Sequence, residues 1–116
     1  DNARALNALG YMLADRDMAL REARSMIERA LEQNPEDAAT LDSMGWVLYR
    51  LGQPRDALEY LRSAWERSRE AEIAAHLGEV LWATGAYDEA RAIWDEGREL
   101  GNGSDVLEAT VERLDP

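Results

Sequence analysis

Few residues of this sequence are of the types that carry out chemistry. His76 is the single histidine and cysteine is absent, so there is little material for a metal site, a histidine relay or a thiol nucleophile. The adjacent carboxylates Asp88 and Glu89, and Asp95 and Glu96, are typical of helix starts and solvated helix faces. We predict a protein that is not an enzyme and uses no cofactor or metal. The alternative is a ligand-binding or catalytic site around His76, which a metal- or ligand-induced shift in melting temperature would reveal.

Sequence motifs for phosphate or zinc chemistry are also absent. The chain contains no GxGxxG, GxxxxGK[ST] or HExxH motif. Its one glycine-rich segment, residues 101–104, has no lysine and no preceding predicted strand. We interpret this segment as a turn that ends one helix and starts another, with Ser104 or Asp105 as the N-cap.

The charge of the chain limits the classes of partner. The net charge is -11 over 116 residues, and all 13 basic residues are arginine. Residues 70–116 hold twelve acidic residues and three arginines, which predicts either a solvated acidic end or a surface that docks on a basic patch. Such a field repels phosphates, so we expect no nucleic-acid partner. No apolar run approaches the roughly 20 residues of a membrane span, so we expect no membrane insertion of this segment.

The elements that position these residues are all helical. Apolar residues recur at intervals of three and four, and no segment alternates as a strand does. Gly52 and Gly85 are expected to end helices, and Asn34 and Pro35 to start one. The predicted helices lie near 3–15, 19–33, 36–50, 54–68, 71–84, 87–99 and 105–114. Short loops make neighbouring helices antiparallel.

A glycine repeats in the middle of three of these helices. Gly10, Gly45 and Gly78 are 35 and 33 residues apart. Mid-helix glycine costs about 1 kcal/mol relative to alanine, so its repetition predicts close approach of a partner helix. The facing small residues would be Ala23, Ala57 and Ala90, with Leu9, Met44 and Leu77 filling the space beside each glycine.

The spacing of these residues resembles the tetratricopeptide repeat (TPR), a helix-turn-helix unit of 34 residues. The third unit carries the pattern Leu77-Gly78, Leu81, Gly85, Tyr87, Ala90 and Trp94. In the first unit Asp17 replaces the turn glycine, and the turn is one residue longer. The resemblance implies an all-α, right-handed superhelix made of a single domain, residues 1–116. Its repeats would span about 3–37, 38–70 and 71–104, followed by a capping helix at about 105–114.

The two ends of the predicted array differ. The last helix places Leu107 and Val111 on one face and charged residues on the other, as a cap does. The first helix is apolar nearly all round, with Leu6, Leu9 and Met12 among its alanines. We therefore expect this chain to be the C-terminal part of a longer array.

Family resemblance also implies the binding positions, because the first helix of each TPR pair lines the concave groove. The corresponding residues are Arg4, Asn7, Tyr11, Asp42, Trp46, Tyr49, Arg50, His76, Glu79 and Trp82. We expect Tyr11, Trp46, Tyr49 and Trp82 to form an aromatic ladder there; the alternative is that these rings pack between repeats. The groove has no lysine and carries acidic residues where a carboxylate clamp needs cations, so we do not expect it to bind the C-terminal tails of partners.

These observations predict a binding scaffold or adaptor for a protein or peptide partner. The segments 9–15 and 41–49 look similar to the C-terminal repeats of proteobacterial TPR lipoproteins, which are tethered at the periplasmic side of the outer membrane. Some members are adaptors of a carboxyl-terminal processing protease. The resemblance implies a periplasmic location through an N-terminal part outside this sequence, and otherwise a cytoplasmic one. The alternative function is self-association through the first helix or the convex face.

Overall fold

The computed structural model describes residues 2–100 and 103–116, and these form seven helices and no strand. The helices are α1 (Ala3–Asp15), α2 (Leu20–Gln33), α3 (Ala38–Arg50), α4 (Pro54–Arg67), α5 (Ala71–Ala83), α6 (Tyr87–Glu99) and α7 (Asp105–Leu114). Every predicted helix is present, with ends that agree within two residues. Gly101 and Asn102, part of a predicted turn, lie outside the described residues.

Consecutive helices pack as three hairpins, α1 with α2, α3 with α4, and α5 with α6. The hairpins stack so that α3 lies beside α1, α5 lies beside α3, and each second helix also touches the next first helix. α7 packs on α5 and α6. The first helices therefore form one surface and the second helices form another.

The mid-helix glycines lie where the hairpin helices come closest, as predicted. A Cβ built on Gly45 would lie 2.5 Å from Cγ of Leu61 and 3.1 Å from the carbonyl oxygen of Ala57. At Gly10 the corresponding neighbours are Ile27 and the carbonyl of Ala23. The repeated cost of glycine is thus explained by packing. The prediction for Leu9 is wrong, because this side chain is 42% exposed instead of filling the space beside Gly10.

The first inter-helix turn differs from the others, as its sequence suggested. Gly52 and Gly85 have φ of 85° and 89°, the left-handed conformation that favours glycine. In the first turn Asp17 takes this conformation with φ of 56°, and Ala19 does so as well with φ of 45°. The extra residue of this turn is thus accommodated by two left-handed residues.

The predicted start of α3 is wrong by two residues. Asn34 and Pro35 do not begin the helix, because the N–H of Asn34 is still bonded to the carbonyl of Ala30 as the C-cap of α2. The N-cap of α3 is Asp37, whose carboxylate accepts from the N–H of Thr40 at 3.0 Å and from its hydroxyl at 2.6 Å. This two-point cap fixes the helix start.

The two ends of the array differ in burial. Ser104 is the N-cap of α7, as one of the two predicted candidates, and it accepts from the N–H of Leu107. Leu107 and Val111 are buried. At the other end Leu9 and Met12 remain 42% and 41% exposed. No helix of the described residues is long and apolar enough to span a membrane.

Candidate functional site: the concave face of the first helices

The predicted groove residues lie on α1, α3 and α5, which are adjacent in the fold. Six of them are half-buried or exposed: Arg4, Asn7, Tyr11, Tyr49, Arg50 and Trp82. The other four, Asp42, Trp46, His76 and Glu79, are buried. The concave face is therefore built from a buried polar layer that supports a partly exposed outer layer.

His76 is the centre of this buried layer. Its Nδ1 lies 2.9 Å and 3.1 Å from the two carboxylate oxygens of Asp42, and its Nε2 lies 3.2 Å from the hydroxyl of Tyr11. The three residues come from α5, α3 and α1, one from each repeat. This chain of hydrogen bonds joins the three hairpins through their first helices.

Charge and burial oppose each other at His76. Burial of the imidazole by itself lowers its pKa, but the charge and hydrogen bond of Asp42, with Glu72 and Asp15 nearby, outweigh it and raise the pKa of His76 above its usual value. The imidazolium donates from both nitrogens, which suits Asp42 on one side and the oxygen of Tyr11 on the other. Burial and the surrounding carboxylates also raise the pKa of Tyr11, so its hydroxyl stays protonated.

Trp46 is held within the same layer. Its ring stacks on the imidazole of His76, with centroids 4.3 Å apart, and its indole N–H donates to Asp15 at 3.2 Å. The guanidinium of Arg50 lies 5.0 Å from the Trp46 ring centroid and donates to the carbonyl of Asp15 at 3.0 Å. For Trp46 the structure agrees with the alternative of packing between repeats, because this ring is 4% exposed and contacts residues of the repeats on both sides.

A second set of contacts, centred on the buried Glu79, crosses from α3 through α5 to α7. The hydroxyl of Tyr49 donates to Glu79 Oε2 at 3.0 Å, and Arg113 of the capping helix donates to Oε1 of the same carboxylate. Burial and the charge and hydrogen bond of Glu79 raise the pKa of Tyr49 to about 12. Arg113 lies on the charged side of α7, as expected, and remains 57% exposed while it pairs with the buried carboxylate of Glu79.

The predicted aromatic ladder is interrupted. Trp46 and Tyr49 are neighbours with ring centroids 5.3 Å apart. Trp82 instead contacts Tyr87 and Trp94, at 4.6 and 5.6 Å, so its ring belongs to the α5–α6 hairpin. This occurs because the close approach of α6 at Gly78 places the Trp94 ring beside Trp82.

The hydrogen bonds of the buried layer fix the side chains that lie at its surface. Residues 2–100 and 103–116 contain no cluster of acids and histidine arranged to hold a metal ion. His76 has both ring nitrogens engaged, and Tyr11 and Tyr49 are fixed by buried partners. The arrangement therefore orients two half-exposed tyrosine rings and Arg50 at the surface.

The comparison with known proteins agrees with this architecture. Residues 17–97 match the family model described as anaphase-promoting complex, cyclosome, subunit 3, and a TPR repeat-containing protein of Pseudomonas aeruginosa is 56% identical over 114 residues. The chain belongs to the tetratricopeptide repeat family. Human tetratricopeptide repeat protein 7A is 36% identical over 93 residues of this TPR domain.

Solved structures confirm the predicted fold class. A structure of Pseudomonas aeruginosa pilF superposes with a TM-score of 0.74 at 24% identity, over 97% of this chain and 52% of that one. The Sgt2 TPR domain from Aspergillus fumigatus gives a TM-score of 0.81 at 20% identity, over 97% and 76%. These likenesses show the TPR superhelix. The match to the Pseudomonas relative covers 98% of this chain but 19% of that protein, and the match to the human relative covers 79% of this chain but 11% of that protein. The chain therefore spans only a small part of the length of these relatives.

Proposed function

We propose that this TPR domain is a non-catalytic scaffold that binds a partner polypeptide on its concave face. The observation that carries the proposal is the anchoring of Tyr11 and Tyr49 by the buried groups of His76 and Glu79. Side chains that are fixed before binding lose little conformational entropy on association. Tyrosine and arginine are also among the residues that dominate binding energy at protein interfaces, and Arg50 lies close enough to both tyrosines for its charge to act on them.

We further propose that the partner belongs to a bacterial envelope protease or assembly complex. The proposal is supported by the similarity of segments 9–15 and 41–49 to outer-membrane TPR lipoproteins and by the 56% identity to the Pseudomonas protein. In this role the domain would be located in the periplasm, tethered by another part of its parent protein.

A site-specific photocrosslinker separates the concave face from the rest of the surface. Glu72 is exposed on α5 and lies near Tyr11 and His76, whereas Glu66 is an exposed glutamate of α4. We expect a crosslinker at position 72 to give a discrete adduct in cells and one at position 66 to give none. Mass spectrometry of the adduct then tests whether the partner is an envelope protein. Equal adducts from both positions would refute concave binding.

Self-association through α1 is the second candidate function. Leu9 and Met12 are 42% and 41% exposed, and Ala5 and Ala8 are exposed on the same helix. An apolar face of this kind marks an interaction surface more often than a solvated one. Sedimentation across a concentration series should show a dimer that Leu9→Glu abolishes; a monomer at all concentrations would exclude this function.

A further inference from the structure

The convex surface contains a cleft between the second helices of the first two repeats. The cleft has a volume of about 530 Å³ and lies between α2 and α4, which have no close backbone contact in the described residues. Met44 and Leu48 of α3 form its floor, and the half-buried Leu31 and Tyr60 form part of its walls. The site is separate from the concave face, so it lies beyond the proposed function.

The rim of this cleft is acidic on both sides. Glu28 and Glu32 of α2 face Asp56 and Glu59 of α4 across the opening. Arg24 is the single cation of the lining, and its pair is Glu28 of the same helix at 3.6 Å. Among the described residues that line the cleft, no ion pair joins α2 to α4. Carboxylates on both sides of one cleft repel each other, so the rim favours a cation from outside.

The next repeat shows what a cation does at the equivalent position. Arg62 of α4 makes a two-pronged contact with the carboxylate of Glu89 on α6. Just beyond the end of α4, Arg69 donates to Glu96 of α6 at 3.1 Å. The gap between α4 and α6 is therefore bridged by arginines of the chain itself.

The repeat register identifies the residues that differ. In the repeat pattern Glu28 lies two residues before Ala30. Arg62 lies two residues before the corresponding alanine of the next repeat, Ala64. Asp56 and Glu89 likewise directly precede Ala57 and Ala90. The gap between α2 and α4 thus has an acid, Glu28, at the position where the gap between α4 and α6 has its bridging arginine, Arg62. The other helix of each gap carries a carboxylate, Asp56 on α4 and Glu89 on α6.

We propose that the cleft between α2 and α4 binds a basic segment of a partner protein. An arginine of the partner lies between Glu28 and Asp56, where Arg62 lies in the next repeat, because a guanidinium contacts carboxylates in a two-pronged manner. An aliphatic side chain next to this arginine packs on Leu31 and Tyr60. Apolar walls with a few placed charges are the usual composition of a peptide-binding cleft.

The probe for this proposal is a capped, fluorescently labelled peptide with the repeating sequence Leu-Arg, measured by fluorescence anisotropy. Its control has citrulline in place of arginine, which keeps the shape and removes the charge. We expect the arginine peptide to bind at least tenfold more tightly, and to shift the NMR signals of Leu31 and Tyr60. Equal binding of the two peptides, or shifts confined to α1, α3 and α5, would overturn the proposal.

Glu28→Arg tests the register argument directly. The new arginine can bridge to Asp56 as Arg62 bridges to Glu89, so the variant is expected to keep its melting temperature and lose about tenfold in affinity. Glu66→Arg, with the same change of charge on α4 outside the cleft, should lose less than threefold, and equal losses would overturn the proposal. If Glu28→Arg does not fold, Glu28→Gln and its matched control Glu66→Gln take their place; the first should then weaken binding of the arginine peptide more than the second, and equal losses would overturn the proposal. Dimerisation that depends on Glu28 would show that a second copy is the occupant, which also overturns the proposal.

Discussion

Replacing Gly78 with alanine should destabilise the fold, although alanine is the better helix former. The new Cβ would lie 2.5 Å from Cδ1 and 2.6 Å from Cε2 of Trp94, and this ring is 1% exposed, so it has no space to move. Overpacking of this kind costs about 3 kcal/mol at its upper range, while the gain in helix propensity is about 1 kcal/mol. The expected net loss is about 2 kcal/mol, or roughly 8 °C in melting temperature for a chain of this size.

Urea unfolding followed by circular dichroism measures this loss, and two controls isolate its cause. Ala92→Gly, at an exposed position in the middle of α6, reports the propensity term alone and should cost about 1 kcal/mol. In a Trp94→Leu background the large ring is gone, so Gly78→Ala should become stabilising. If Gly78→Ala were instead more stable than the natural chain by the gain in helix propensity of about 1 kcal/mol, the packing argument would be refuted.

Three further predictions concern the buried layer and the cap. His76→Gln should lower the free energy of unfolding more at pH 5.5 than at pH 9. The pKa of His76 is raised in the folded state, so its contribution to stability is complete below the unfolded-state pKa of about 6.5 and is lost as the pH rises through the folded-state pKa. A difference between variant and natural chain that does not depend on pH in denaturant titrations would contradict this prediction. Trp46→Ala should lower the free energy of unfolding by about 3 kcal/mol or more, because a buried ring is lost. A melting temperature within 2 °C of that of the natural chain, which corresponds to roughly half a kcal/mol, would show that Trp46 is not structural. Deletion of residues 104–116 removes Leu107 and the Arg113–Glu79 pair and should lower the melting temperature and cause aggregation in light scattering; an unchanged monomer would mean that α7 is not a cap.

The helices and their pairing could be predicted because their signals are local. The intervals of three and four, the turn glycines and the repeated mid-helix glycine all lie within one hairpin of the residues they affect. The start of α3 was misplaced because Asn34 and Asp37 both suit an N-cap. The choice between them depends on a hydroxyl, that of Thr40, and on the hydrogen bond that keeps Asn34 in α2.

The sequence by itself determined which residues share a helix face, and hence that Tyr11, Trp46 and His76 lie on one side of the array. Only the tertiary structure decided which of them are buried. Tyr11 and His76 are 65 residues apart, and Asp42 and Glu79 meet partners 34 residues away. Helical periodicity gives the direction in which a side chain leaves its helix. Burial also depends on how closely the first helix of the neighbouring repeat approaches. The acidic cleft between α2 and α4 has the same origin, because its lining comes from two helices that the fold places side by side without close backbone contact.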